Sequence, residues 1–110
     1  MALPREFRLK GRRAFEEFRR SGEVYYSRGI VLKTIRGRCG RKFAFIVTKR
    51  IGNAVRRNRT RRVLSEWIRL HLDLFPDGVH YLVIVRSPNV QEKELVRDLG
   101  DIAGKASLGK

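Results

Sequence analysis

The chain has 110 residues, 42% hydrophobic and 34% charged, with a formal net charge of +15 and one cysteine. That length sets one compact domain and buries enough surface to fold without metals or disulfides. Cys39 has no partner for an internal bridge or a zinc site, no apolar run is long enough to cross a bilayer, and no charged-then-apolar leader opens the chain, so a cytoplasmic protein is expected.

In chain order, residues 1–10 begin as a Pro-broken extended piece. A first helix is predicted over Arg12 to Arg20, with Phe15 and Phe18 as its apolar edge and Ser21-Gly22 as its stop. VYYSRGIVLKTI reads as extended, with Gly29 at a bulge or at the join of two short strands. RGRCGRK is a turn. KFAFIVTK is a strand with two apolar faces, Phe43, Phe45 and Val47 on one and Ala44 and Ile46 on the other, which predicts a central position in the sheet. Gly52 and the N-cap Asn53 start a second helix, from Ala54 to about Leu72, with Val63, Leu64, Trp67, Ile68 and His71 on its apolar face. FPDG turns the chain into the strand HYLVIVR. Asn89 and Glu92 form a capping box for a last helix, whose buried stripe is Leu95, Leu99 and Ile102 and whose end is Gly104. The order α-β-β(-β)-α-β-α makes an α+β sandwich, and the strand–helix–strand unit from Phe43 to Arg86 joins parallel strands. One domain over 1–110 is expected, with flexible ends at 1–10 and 105–110.

The charge is segregated. Residues 1–62 carry 20 Lys or Arg against 4 acidic residues, whereas 63–88 sum to −1 and 89–110 to zero. A surface made only for solubility mixes both signs. This one calls for a polyanion, nucleic acid ahead of an anionic membrane.

The excess peaks in KRIGNAVRRNRTRR, residues 49–62, where seven of fourteen residues are Lys or Arg and none is acidic. Arg56, Arg57, Arg59, Arg61 and Arg62 fall in the N-terminal half of the second helix, the positive end of its dipole. Each misplaced cation costs about 0.3–1 kcal/mol, and the like-charged pair Arg57 and Arg61 adds a similar amount. A docked phosphate reverses both effects, and the helix start also offers free N–H groups to it. Arginine suits phosphate because its guanidinium binds bidentately and stacks on bases. Asn58 can add a hydrogen bond to a sugar or base edge.

KRIGNAVRRNRTRRVLSEWIR, with its Arg57-Asn58-Arg59 core, is similar to the signature of the protein subunit of bacterial ribonuclease P. LPREFRLKGRRAF, FAFIVTKR and HYLVIVR extend the resemblance along most of the chain. The resemblance implies an αβββαβα two-layer sandwich with a left-handed β-α-β crossover. It implies that an RNA component, with Mg²⁺ bound mainly by that RNA, cleaves precursor tRNA to release the 5′ leader, and that the protein is a non-catalytic subunit. It implies no catalytic and no metal-ligating residue in this chain. The motif facing ribonuclease P RNA falls on Lys49, Arg50, Gly52, Asn53, Arg57, Asn58, Arg59, Arg61 and Arg62, and Arg56 joins it on charge. The cleft for the single-stranded leader falls on Phe15, Arg19 and Lys33. Aromatic residues belong to the family pattern at Arg19 and Lys33, and a basic one at Ser65, so this cleft has more charge and less stacking. Phe15, Phe18, Tyr25 and Tyr26 lie near Arg12, Arg19 and Arg28, a pattern that suits single-stranded RNA, although core packing explains Phe18 better.

An autonomous enzyme is a poor fit: His71 and His80 sit in core or edge positions, Glu16 and Glu17 diverge on a helix, and no nucleophile motif or phosphate-binding glycine loop appears. The rival reading is a ribosomal protein, small, basic and bound to RNA for assembly: the composition fits both, and the Arg-Asn-Arg spacing favours the ribonuclease P reading. A membrane-active helix needs an apolar face open to lipid, and the stripes here have a sheet to cover. The expected partners are ribonuclease P RNA and precursor tRNA, with no homo-oligomer.

Overall fold

Segments rich in β-branched and aromatic residues pair into one four-stranded sheet: β1 (Glu23–Tyr26), β2 (Ile30–Arg36), β3 (Arg41–Val47) and β4 (Val79–Val85). The structure is a computed structural model and describes residues 7–9, 12–20, 22–37, 40–86 and 92–105. Strand order is β1-β2-β4-β3, with β3 parallel to β4 and the other pairs antiparallel. Helices α1 (Arg12–Arg20), α2 (Ala54–Leu70) and α3 (Glu92–Lys105) complete the expected α+β order.

The pleat sends alternate side chains to opposite faces. Ile30, Leu32, Phe43, Val47, Tyr81, Val83 and Val85 meet α2 and α3, which contribute Leu64, Ile68, Leu95, Leu99 and Ile102. Phe43 stacks on Tyr81 at a 4.9 Å ring separation, and Phe75 meets both edge-on. The Tyr81 hydroxyl donates to the Pro76 carbonyl at 2.8 Å. Ile35, Ala44 and Leu82 point the other way and pack under Phe18 of α1. Helix α1 covers only part of that face.

Phe43 and Val47 are buried on one face of β3 and Ala44 on the other, as two apolar faces require. The strand is nevertheless an edge, not central. Helices cover its faces, while its outer edge is met by the N-terminal segment: Arg8 bridges Phe43, and the Leu9 N–H donates to the Phe43 carbonyl at 2.8 Å. Residues 7–9 are therefore docked against the outer edge of β3. Burial on both faces reports covering layers, which an edge strand has as readily as a central one. Helix α2 stops at Leu70, earlier than predicted. Leu72–Leu74 form a 3₁₀ turn there, and Arg41 donates to the Leu72 and Phe75 carbonyls, both at 3.0 Å. Helix α3 passes through Gly104 to Lys105. The capping box at Asn89, the Ser21 stop and Cys39 lie outside the described residues.

The turn between α1 and β1 depends on Gly22. Its φ is +107°, and a Cβ there would stand 2.4 Å from the Thr34 carbonyl oxygen of β2. Gly22→Ala is expected to destabilise the chain by at least about 1–3 kcal/mol from backbone strain alone. A urea melt with an unchanged midpoint contradicts this.

Candidate nucleic-acid interface

The helix start is built from the backbone outward. Strand β3 ends at Val47, the chain makes a 3₁₀ turn over Lys49–Ile51, and Gly52 follows at φ +142°. Ile51 is buried and anchors the turn, leaving Lys49 and Arg50 exposed. A side chain at Gly52 would press on Arg56, whose Cδ lies 3.0 Å from the place a Cβ would take. Asn53 caps α2 as predicted: its Oδ1 accepts from the Arg56 N–H at 3.0 Å. That oxygen is therefore committed to the fold.

The five arginines wrap the helix instead of forming one stripe, since successive residues turn by about 100°. Arg57 and Arg61 are one turn apart and half-buried. The Arg57 Nε is buried without a hydrogen-bond partner among the described residues, so its stem is fixed by packing. Arg61 donates to the Asn58 Oδ1 at 2.9 Å, which couples two residues of the motif. Arg56, Arg59 and Arg62 are exposed. Arg62 lies on the α3 side, at an apolar groove with Val63, Trp67, Leu70 and Val96. The burial of Thr60, within the basic stretch, and of Ser65, just past it, was not legible from the sequence. Thr60 donates its hydroxyl back to the Arg56 carbonyl at 3.0 Å. Beyond the arginines the sign changes: the Glu66 carboxyl lies well below the usual carboxylate range, first because of its hydrogen bonds from Arg69.

On the other face of the sheet, where α1 leaves it uncovered, lies a groove of about 180 Å³. It brings together Phe15 and Arg19 of α1 with Lys33 of β2, residues that the sequence separates widely. Its remaining lining is Phe18, Ile46, Leu82 and Ile84. Phe18 is core, at 3% exposure. Phe15 is half-buried, in contact with the core while lining the groove. Reasoning from sequence missed Ile46, Leu82 and Ile84. Their period-two spacing was visible, but the strand order that sets them beside Lys33 was not. Arg19 is exposed and Lys33 half-buried at this groove. Among the described residues, no three His, Cys, Asp or Glu side chains are grouped to hold a metal ion, and no helix is long and apolar enough to cross a membrane.

Fold and site together define a small basic α+β domain, with an arginine-rich helix start on one face of its sheet and a groove with cationic side chains on the other. The family model described as Ribonuclease P matches residues 3–107. The ribonuclease P protein component of Finegoldia magna is 33% identical over 111 residues, covering 98% of this chain and 97% of its own length. The chain belongs to the ribonuclease P protein family. Solved RNase P proteins share the fold. That of Staphylococcus aureus superposes with a TM-score of 0.81 at 22% identity, covering 94% of this chain and 98% of its own. That of Thermotoga maritima gives 0.77 at 23% identity, covering 89% and 96%.

Asn53→Ala is expected to lower stability by about 1 kcal/mol through loss of the cap, while Asn53→Asp, an equally good cap, leaves it near wild type. Denaturant titrations of the two variants decide it; equal losses contradict the capping role.

Proposed function

We propose that this chain is the protein subunit of ribonuclease P, assisting RNA-catalysed removal of the 5′ leader from precursor tRNA. The observation that carries the reading is the pair of cationic places on opposite faces of one sheet. One protein can then hold two RNA elements at once. In this reading Lys49, Arg50, Arg56, Arg57, Asn58, Arg59, Arg61 and Arg62 meet the backbone of the structured catalytic RNA. Asn53 serves them by fixing the helix start. Phe15, Arg19 and Lys33 receive the single-stranded leader.

The physical work is electrostatic. Two RNAs repel each other, and cations between them lower that repulsion while raising the local substrate concentration. Less Mg²⁺ is then needed to bring them together. In this reading Mg²⁺ is bound mainly by the RNA, and no chemical step is routed through a side chain of the chain. The apolar floor of the groove gives bases a dry surface, and Arg19 and Lys33 reach phosphates.

The direct test is cleavage of a precursor tRNA by a bacterial ribonuclease P RNA at low Mg²⁺, with and without the chain. Chain-dependent cleavage supports the reading, and tight RNA binding without stimulation removes it. Replacing Arg57 and Arg59 together by alanine is expected to weaken binding to that RNA. The slope of log K against log salt should fall by about 0.7–0.9 per lost phosphate contact. An unchanged affinity and slope would place the RNA contact elsewhere. Phe15→Ala is expected to impair precursor tRNA more than mature tRNA, and equal losses would make Phe15 a core residue only.

A further inference from the structure

We propose that Tyr26 on β1 is a second stacking platform for the single-stranded leader, extending its track across the sheet from the groove beside α1. The inference rests on the reading of that groove as the leader site and adds a residue and a direction to it.

The register carries the argument. Tyr26 pairs with Val31, Val31 with Ile84, and Ile84 with Ile46. Directly paired residues point to the same side of a sheet. Tyr26, Val31, Ile84 and Ile46 therefore form one row across all four strands, on the face that bears the groove. Ile84 and Ile46 line the groove itself, and Lys33 stands in the neighbouring row, opposite Val24. Tyr26 is 63% exposed at one end of the row and Ile46 is 37% exposed at the other, while Val31 between Tyr26 and Ile84 is buried at 4%, so a strand lying along the row meets two separate exposed platforms on one face. Three strand spacings of about 4.8 Å separate them, so the row is roughly 14 Å long. That exceeds what one base covers.

Tyr25 shows by contrast what a structural tyrosine looks like here. It points to the opposite face, packs against the main core and donates its hydroxyl to Glu23 at 2.9 Å. Tyr26 makes no such hydrogen bond among the described residues and belongs to neither core cluster. The fold does not need an aromatic ring there.

Charge selects the occupant. On this face the four strands place Lys33 and Lys42 and no acidic residue, because Glu23 lies on the other side with Tyr25. Arg28, exposed, follows Tyr26 by two residues. An exposed ring on a cationic sheet face fits a nucleic-acid strand, in which every base has a stackable face and every link a negative charge. Recognition of this kind tolerates any base. Beside a groove where Arg19 and Lys33 supply charge, Tyr26 supplies a further stacking surface.

The test uses the holoenzyme reconstituted with a bacterial ribonuclease P RNA and precursor tRNAs carrying either a single leader nucleotide or a long leader. Affinities are measured for wild type, Tyr26→Ala, Tyr26→Phe and Phe15→Ala, with thermal melts of each. Tyr26→Ala is expected to bind the long-leader substrate on the order of fivefold more weakly or worse. It should match wild type on the single-nucleotide leader and melt as wild type does, and Tyr26→Phe should restore binding. If Tyr26→Ala equals wild type on both substrates while Phe15→Ala loses the benefit of the long leader, the extended track is wrong and the groove stands. Equal weakening on both substrates, or failure of Tyr26→Phe to restore, also overturns stacking at Tyr26. If wild type itself gains nothing from a long leader, the leader reading of the groove fails and the inference fails with it.

Discussion

The parallel pairing of β3 with β4 is the constraint on which the rest of the molecule depends. Parallel neighbours cannot be joined by a tight turn and need a crossover, which α2 supplies. The ladder runs on past the strand end, since the Thr48 N–H donates to the Val85 carbonyl at 3.1 Å. The chain then has only Lys49–Ile51 and Gly52 in which to turn before Asn53 starts the helix. The N-terminus of α2 is thus held close beyond the C-terminal end of β3. In open α/β sheets this is where ligands bind, because strand ends and helix starts leave unpaired backbone groups facing solvent. The same strand carries Ile46 into the groove on the opposite face, so both candidate RNA surfaces take their positions from one strand.

The helix start accepts an electrostatic penalty that its packing offsets. Arg56 and Arg57, in the first turn at the positive end of the dipole, each cost a few tenths of a kcal/mol, and the like-charged pair Arg57 and Arg61 adds a similar amount. Against that stand the Asn53 cap, the burial of Ile51 before the helix, and Leu64 and Ile68, both fully buried, after the cationic stretch. Burying a leucine or isoleucine side chain contributes about 1.5–3 kcal/mol. The helix is therefore anchored at both ends of its basic segment, and the segment can stay cationic without unwinding. Acidic residues that would relieve it are placed elsewhere: Glu66 is bound to Arg69 and Glu23 to Arg36.

The elements themselves were legible because each carries a strong local signal. Arg12–Arg20, the Asn53 cap, the split at Gly29 and the stripe Leu95, Leu99 and Ile102 were readable from spacing and turn chemistry alone. The position of β3 was not. Two apolar faces state that a strand is covered above and below, and are silent on what lies beside it. Its outer edge is closed by Arg8 and Leu9, whose residues carry no strand pattern. The basic motif was legible as charge, but the half-burial of Arg57 and Arg61 and the commitment of the Asn53 oxygen depend on helix rotation relative to the sheet. The family resemblance brought Phe15, Arg19 and Lys33 forward together, and only strand order shows that Ile46 and Ile84 complete their groove.

Composition overstates how much of the +15 charge is available to a partner. Arg41 ties the 3₁₀ turn after α2 to β3 through two carbonyls and lies 5.7 Å from the Phe7 ring. Arg36 links β2 to Glu23 of β1, and this pairing, after the Tyr25 hydroxyl, holds the Glu23 carboxyl below its usual range. Arg69 serves Glu66. These three cations belong to the fold. The aromatic residues divide in the same way: Phe43, Phe75 and Tyr81 form the core stack, while Phe15 and Tyr26 reach the groove face. The pleat and the helix rotation make that division, because both decide which neighbour of a pair meets protein and which meets solvent. Adjacent residues as alike as Tyr25 and Tyr26 therefore have different work, and an interface drawn from residue type alone would take in both.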